Sequence, residues 1–326
     1  MRIINLKATR IVLSVAVLAS VSTGLAAETS SVPAAVWKWV RQADSVALMS
    51  GDQTVWRFNY GTNESKPCFH PVALPGGPEM TCYRPADHKW HCGFWFSWKY
   101  INGINYWEED PQSLAAAGRT EWRNVVIETR PDNSARIQME VIYHPATSLD
   151  PALSERRIVE VSAPAKNGQY YFDWDATFTA GEKDALLNRT PLPDEPDGKP
   201  YGGYAGLSFR FAKDLTDIVA ITSASDVPLS YHENRFRGKA AGLDYSGKIR
   251  GTEYGIAMID HPQNLNAPSP WYVINDQVLR FCTPAVLCYG PHTLKAGQNF
   301  RLRYRTVIHS GRFTSQGLRE EVNRFQ

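Results

Sequence analysis

From residue 120 onward the chain alternates apolar and polar side chains in stretches of eight to ten residues, at 121–130, 135–144, 155–162 and 170–179. Each stretch is closed by turn formers, such as Pro131, Asp132 and Asn133, or Lys166, Asn167 and Gly168. A period of two sends successive side chains to opposite faces of a sheet. Short turns between such stretches join them as antiparallel neighbours. No helical pattern follows the strands, which excludes a parallel sheet with crossover helices.

The rest of the chain extends the pattern. Residues 54–60 set Val55, Arg57 and Asn59 against Trp56, Phe58 and Tyr60. Further strands are expected at 80–83, 94–100, 205–211, 256–260 and 300–309. Asn102 and Gly103 between two aromatic segments mark a hairpin. The stretch 34–47 reads equally as a helix or a lead-in strand, and 187–203, rich in Pro, Asp and Gly, as a long loop. At the C-terminus Leu318, Val322 and Phe325 share one face of a short helix. The expectation is all-β, one antiparallel domain over 27–326 with a short C-terminal helix.

The first residues carry Arg2, Lys7 and Arg10, an apolar run over 11–21, and the small residues Gly24, Ala26 and Ala27. That is the composition of a secretory signal peptide, assigned to 1–26 with cleavage after Ala26 or Ala27. Export to the periplasm or the exterior is expected, with no transmembrane segment beyond the signal peptide. The net charge of +2 over 326 residues argues against a nucleic-acid partner. The five cysteines, at 68, 82, 92, 282 and 288, have no zinc-ribbon spacing. In an oxidising compartment Cys282 and Cys288 could pair across a turn at Pro284, with a second bridge among Cys68, Cys82 and Cys92.

Candidate chemistry concentrates in 84–107, RPADHKWHCGFWFSWKYINGINYW, which holds two of the eight histidines and four of the ten tryptophans. Asp87 directly precedes His88, and Gly93 follows His91 at the entry to an aromatic strand. A titratable loop feeding a rigid aromatic strand suits a small polar ligand with an apolar ring face. The ten tryptophans fit either stacking on sugar rings or the filling of a β core.

Several motifs together resemble an exported bacterial family. They are Lys66 and Pro67 with Phe69, His70 and Pro71; Pro85 with Asp87, His88 and His91; and the run Gly93, Phe94, Trp95, Phe96. The tail adds Asp244, Tyr245, Ser246, Gly247; Asp260, His261, Pro262; Pro268, Ser269, Pro270, Trp271; and Tyr304, Arg305 with His309, Ser310, Gly311. The resemblance runs over about 56–323. The family carries the label "methane oxygenase PmoA" and is similar to the galactose-mutarotase-like proteins. It implies an antiparallel β-supersandwich with a sugar site on its concave face. The family often has two adjacent histidines where this chain has Trp90 and His91.

Three readings of His88 and His91 remain: sugar binding or acid–base work, a satisfied structural role, and metal ligation. The first fits the neighbourhood best. The expected catalytic set is His88, His91, His261 and Asp87. The expected substrate-binding set is His70, Arg84, Trp95, Tyr204, Arg210, Asp260, Trp271, Arg305 and His309. Glu108 and Glu253 are further carboxylate candidates. No metal site and no cofactor is expected, and the ligand is a small carbohydrate. His88, His91, Trp95, Tyr204, His261 and Trp271 are expected to line one cleft. The protein is then a carbohydrate-active enzyme of epimerase, lyase or hydrolase type. The alternatives are a non-catalytic carbohydrate-binding protein and, more remotely, the metal-dependent oxygenase of the family label.

Overall fold

The computed structural model describes residues 36–110, 112 and 115–325. The signal peptide expected at 1–26 lies outside them. In chain order the strands are β1 (Trp37–Arg41), β2 (Ser45–Ser50), β3 (Gln53–Asn59), β4 (Cys68–Val72), β5 (Phe94–Ser97), β6 (Tyr100–Ile101), β7 (Ile104–Asn105), β8 (Gly118–Thr129), β9 (Ala135–Pro145), β10 (Leu153–Val161) and β11 (Tyr170–Ala180). There follow β12 (Ala185–Asn188), β13 (Gly206–Arg210), β14 (Thr216–Thr222), β15 (Arg235–Lys239), β16 (Gly242–Ile249), β17 (Thr252–Asp260), β18 (Pro270–Asn275), β19 (Arg280–Pro284), β20 (His292–Leu294) and β21 (Asn299–Ser310), then the helix α1 (Ser315–Arg324).

Among the described residues these strands form three sheets. A nine-stranded sheet has the order β1-β2-β3-β4-β5-β13-β19-β18-β15, an eight-stranded sheet β14-β16-β17-β21-β11-β10-β9-β8, and a small one β20-β12-β6-β7. The pairings are antiparallel, as the alternating pattern predicts. The undecided stretch 34–47 supplies the first two strands. The Asn102 and Gly103 hairpin joins β6 to β7, with φ of 52° and 79° at its two central residues.

The core lies between the two large sheets. Phe69 of β4 meets Phe172 of β11 at 4.7 Å, and Phe96 of β5 meets Phe178 at 5.2 Å. Phe211, just after β13, stacks on Tyr245 of β16 at 4.2 Å. Parity then decides every strand near the candidate chemistry. On β5, Phe94 and Phe96 face this core, so Trp95 faces out. On β18, Trp271 and Val273 face in, so Tyr272 and Ile274 face out. On β19, Cys282 faces in and Phe281 out. The outward rings gather into a second apolar cluster on the far face of the nine-stranded sheet. The opposite outer face, on the eight-stranded sheet, is covered by Leu318, Val322 and Phe325 of the C-terminal segment. Thr314 caps α1, accepting from the Gly317 amide.

The cysteines correct one expectation. All five are free thiols. Cys282 packs in the inter-sheet core and Cys288 in the outer cluster, so the sheet itself separates the proposed partners. Cys68 and Cys92 do meet in the outer cluster, thiol hydrogen-bonded to thiol.

The core also holds a buried ion pair on β10. Arg157 donates to Glu155 at 2.5 and 2.8 Å, and Tyr143 donates to the same carboxylate at 2.5 Å. The Arg157 guanidinium lies 4.8 Å over the Trp174 ring. Removing one partner strands the other charge in an apolar interior, which costs about 3–5 kcal/mol. Glu155→Gln is therefore expected to lower the unfolding free energy by about 3 kcal/mol or more in urea titrations. A Glu155→Met, Arg157→Met double variant should recover most of that loss. A single-variant loss below about 1 kcal/mol would contradict this account of the pair.

Candidate functional site

The outward face of β5, β13, β18 and β19 carries an open cleft of about 350 Å³, a size suited to a small molecule. His88, Trp90, His91, Trp107, Glu108, Tyr201, Tyr204, Arg235, Tyr272 and Phe281 contribute to its lining, with Ile274 and Leu279. The loop before β5 closes on itself: the Arg84 amide donates to the His91 carbonyl at 2.7 Å, and the His88 amide to Pro85 at 3.0 Å. Gly93 then turns the chain into β5 with φ +78°, where a Cβ would stand 2.7 Å from the Phe69 carbonyl oxygen. Only glycine satisfies both conditions. The opposite wall is set by Gly206, which brings the chain past the Pro284 carbonyl after Tyr204 has entered the cleft.

Behind the histidines lies Arg210, fully buried on β13. Its Nη1 reaches His91 Nδ1 at 3.2 Å, and its Nη2 reaches Asp87 Oδ2 and the Val278 carbonyl, each at 2.8 Å. A guanidinium only donates, so His91 Nδ1 accepts and the ring proton sits on Nε2. His88 Nδ1 lies 2.8 Å from Asp87 Oδ2. An ionised carboxylate only accepts, so His88 donates from Nδ1, which puts the lone pair of the neutral ring on Nε2. The two rings stand 4.6 Å apart. One is thereby fixed as a donor and its neighbour as an acceptor. Burial would raise the Asp87 carboxyl, but hydrogen bonds from Arg210 and His88, with the Arg210 charge, hold it below its ordinary value.

The floor is aromatic. His91 stacks on Phe281 at 5.4 Å and lies 5.1 Å from Trp95 beneath it. Trp107 contacts Trp95 at 5.6 Å and Tyr204 at 5.3 Å, and Tyr204 contacts Tyr272 at 5.9 Å. At the Tyr204 end Glu108 accepts from Tyr204 Oη and from Asn105 Nδ2, each at 2.6 Å, and pairs with Lys99. Burial pushes this carboxyl up; the Lys99 charge and these hydrogen bonds outweigh it and leave it below its usual range. Glu108 is thus an ionised anchor and a weak base.

The sequence-derived set divides. His88, His91 and Tyr204 line the cleft; Asp87 and Arg210 support its histidines; Trp95 lies under His91. The single-cleft expectation fails for His261 and Trp271. Trp271 faces the inter-sheet core and donates Nε1 to the Ala240 carbonyl at 2.8 Å. His261 follows β17 on the outer side of the eight-stranded sheet, 3.0 Å from Arg303 Nη2 and against Phe325. On that same face Arg305 makes two 2.7 Å hydrogen bonds to Asp173 and covers the Tyr171 ring, and His309 binds Asp244 at 2.8 Å. Asp260 accepts from the Ser269 amide at 2.7 Å, Ser269 Oγ at 2.9 Å and Asn264 at 2.7 Å, tying the loop before β18. Arg84 pairs with buried Glu109 at 2.5 Å, away from the cleft lining. His70 stacks on Tyr83 at 4.9 Å and bonds Thr81 at 2.9 Å, in a separate depression. Conversely, Tyr201, Arg235, Tyr272 and Phe281 were not singled out from the sequence. Parity on β18 could have found Tyr272, the neighbour of Trp271; nothing local marks Arg235.

Residues 45–323 match the model of a family described as "Family of unknown function (DUF6807)". No curated protein matches the chain. Among solved structures, a galactose mutarotase related enzyme from Lactobacillus acidophilus is similar at 10% identity, over 84% of this chain and 98% of that chain, with a TM-score of 0.29. A likeness of that strength adds nothing to the fold described above.

The cleft's electrostatics predict a pH signature. Burial, then the neighbouring His88 imidazole and the charges of Arg210 and Lys66, holds His91 well below the ordinary histidine value. The unfolded chain takes up a proton near pH 6.5 that folded His91 refuses, so stability is lost as pH falls below that value. His70, lowered to about 4 by burial and by Arg57, acts in the same sense between those two values. Asp260, raised to about 6 by burial, opposes them: its folded form binds a proton more readily, so its contribution falls as pH rises from about 4 to 6. Comparison with His91→Gln isolates the histidine. Between pH 7 and pH 5 the native protein should lose more stability than the variant in urea titrations. Equal losses would show that folded His91 protonates normally.

Proposed function

This chain belongs to the family of unknown function DUF6807, and from that premise we propose that its cleft binds a small carbohydrate and performs acid–base chemistry on it. The observation that carries the reading is the fixed pair of imidazoles over an aromatic floor. His88, oriented by Asp87, offers Nε2 as a base; His91, oriented by Arg210, offers an Nε2 proton to an oxygen. The arrangement suits removal of a proton beside an oxygen that His91 polarises. The Trp107, Phe281 and Tyr272 rings offer apolar faces to the C–H face of a sugar ring, and Glu108 accepts from its hydroxyls. This favours an epimerase or lyase over a two-carboxylate hydrolase, because Asp87 and Glu108 are both held ionised by cationic partners. The basic and apolar start of the chain supports action in the periplasm or outside the cell.

A binding protein without turnover is the second reading, favoured by the three donors that occupy Glu108. The methane oxygenase label is not what the matching family model carries. The cleft's side chains also do not fit a copper or iron centre with three protein ligands. His91 accepts from Arg210 at Nδ1 and so carries its proton on Nε2, and among the described residues no group of three or more His, Cys, Asp and Glu side chains is arranged around a common point.

The test is a panel of reducing and 3-keto sugars followed by NMR in D2O. A sugar that perturbs the cleft resonances should exchange or lose a carbon-bound proton. His88→Asn should slow that by about 100-fold or more while the Kd changes less than about 10-fold. Binding without proton exchange would favour the second reading. No binding across the panel would overturn both.

A further inference from the structure

Arg235 stands in the cleft wall without a carboxylate partner. Its Nε donates to Tyr272 Oη at 3.1 Å and its Nη1 to the Glu233 carbonyl at 2.8 Å. Among the described residues no acid pairs with it, and its Nη2 has no protein partner. Arg237, two positions on along β15 and so on the same face, lies over the Tyr272 ring at 5.1 Å. It too spends its donors on carbonyls, of Gly202 at 2.9 Å and Pro200 at 2.6 Å, and so remains uncompensated. Burial raises the Tyr272 hydroxyl, and both guanidiniums oppose that rise, which places their field at the cleft. The other charges cancel within the protein: Glu108 against Lys99, and Asp87 against Arg210. His91 stays neutral. One wall is therefore left with uncompensated positive charge.

A half-buried guanidinium whose fork is held by a hydroxyl and a carbonyl, with one nitrogen free, is oriented for an incoming anion. We propose that the cleft selects a carboxylate-bearing sugar of the uronate or aldonate type, its carboxylate meeting Arg235 Nη2 and the Tyr272 hydroxyl and its ring lying on the aromatic floor. This rests on the carbohydrate reading of the same cleft. A carboxylate fits better than a phosphate, because this wall offers two donors, Arg235 Nη2 and the Tyr272 hydroxyl, which match the two oxygens of a carboxylate and leave a dianion's third oxygen unmet. Arg235 is then a specificity-determining residue, set on the opposite wall from the His88 and His91 pair.

Isothermal titration of the purified protein with glucuronate, its uncharged methyl ester, glucose and glucose 6-phosphate tests the proposal. Glucuronate should bind at least about 10-fold more tightly than the ester, equivalent to about 1.4 kcal/mol. That advantage should shrink as salt is raised. Arg235→Gln should bring glucuronate down to the affinity of the ester, and Arg235→Lys should retain part of the difference. Circular dichroism and the urea midpoint establish that each variant is folded. Equal affinity for acid and ester overturns the charge selection while leaving the carbohydrate reading in place. So does a preference that survives in folded Arg235→Gln. Tighter binding of the 6-phosphate overturns the carboxylate assignment. If none of the four binds, the carbohydrate reading falls and this inference with it.

Discussion

The hydrogen bonds of Arg210 are the interaction on which the cleft depends. A guanidinium with no exposed surface would cost several kcal/mol to desolvate if it stood alone. Here it is compensated by Asp87 Oδ2, the Val278 carbonyl and His91 Nδ1. Those three acceptors come from the loop before β5 and the turn before β19, while Arg210 itself ends β13 between them in the sheet. One buried cation thus ties two connections to the strand between them. The same hydrogen bonds decide chemistry, because they dictate which nitrogen of each histidine carries the proton. The cost of burying the charge is met by groups the site needs in any case.

The second constraint is that the nine-stranded sheet is apolar on both faces. Its inner face builds the inter-sheet core; its outer face carries the cluster of Trp95, Trp107, Tyr204, Tyr272 and Phe281. Antiparallel sheets commonly leave one face to solvent. An outer face this aromatic, broken by a cavity and edged with histidine, arginine and carboxylate, is what a ligand with both an apolar face and polar groups would complete. The eight-stranded sheet shows the contrast. Its outer face is finished by α1 and by closed ion pairs such as Arg305 with Asp173, and His309 with Asp244. There the polar groups are already satisfied by one another.

This division explains how far the sequence could be read. Period-two alternation and turn chemistry are local, so the antiparallel strands and the hairpin at Asn102 were legible. The stretch around His88 and His91 was legible because its loop, glycine and strand are contiguous. Trp271 was misassigned by one position. On β18 a one-residue shift exchanges the core face for the outer face, and the ring that borders the cleft is Tyr272. His261 shares a motif with Asp260, but whether a strand end faces the cleft or the far sheet is a property of topology. Arg235 carries no local mark: its significance is that, among the described residues, no acid pairs with it, which adjacency in sequence does not record.

The most direct measurement of this account is a long-range proton–nitrogen NMR spectrum of the histidine side chains, with His88 and His91 assigned by their variants. The account predicts that at pH 6.5, the ordinary histidine value, His91 is predominantly neutral with its proton on Nε2, its Nδ1 accepting from Arg210. It also predicts that His88 carries a proton on Nδ1, facing Asp87. A doubly protonated His91 at that pH, or a neutral His91 with its proton on Nδ1, would contradict it. Either result would mean that Arg210 does not set the polarity of the cleft.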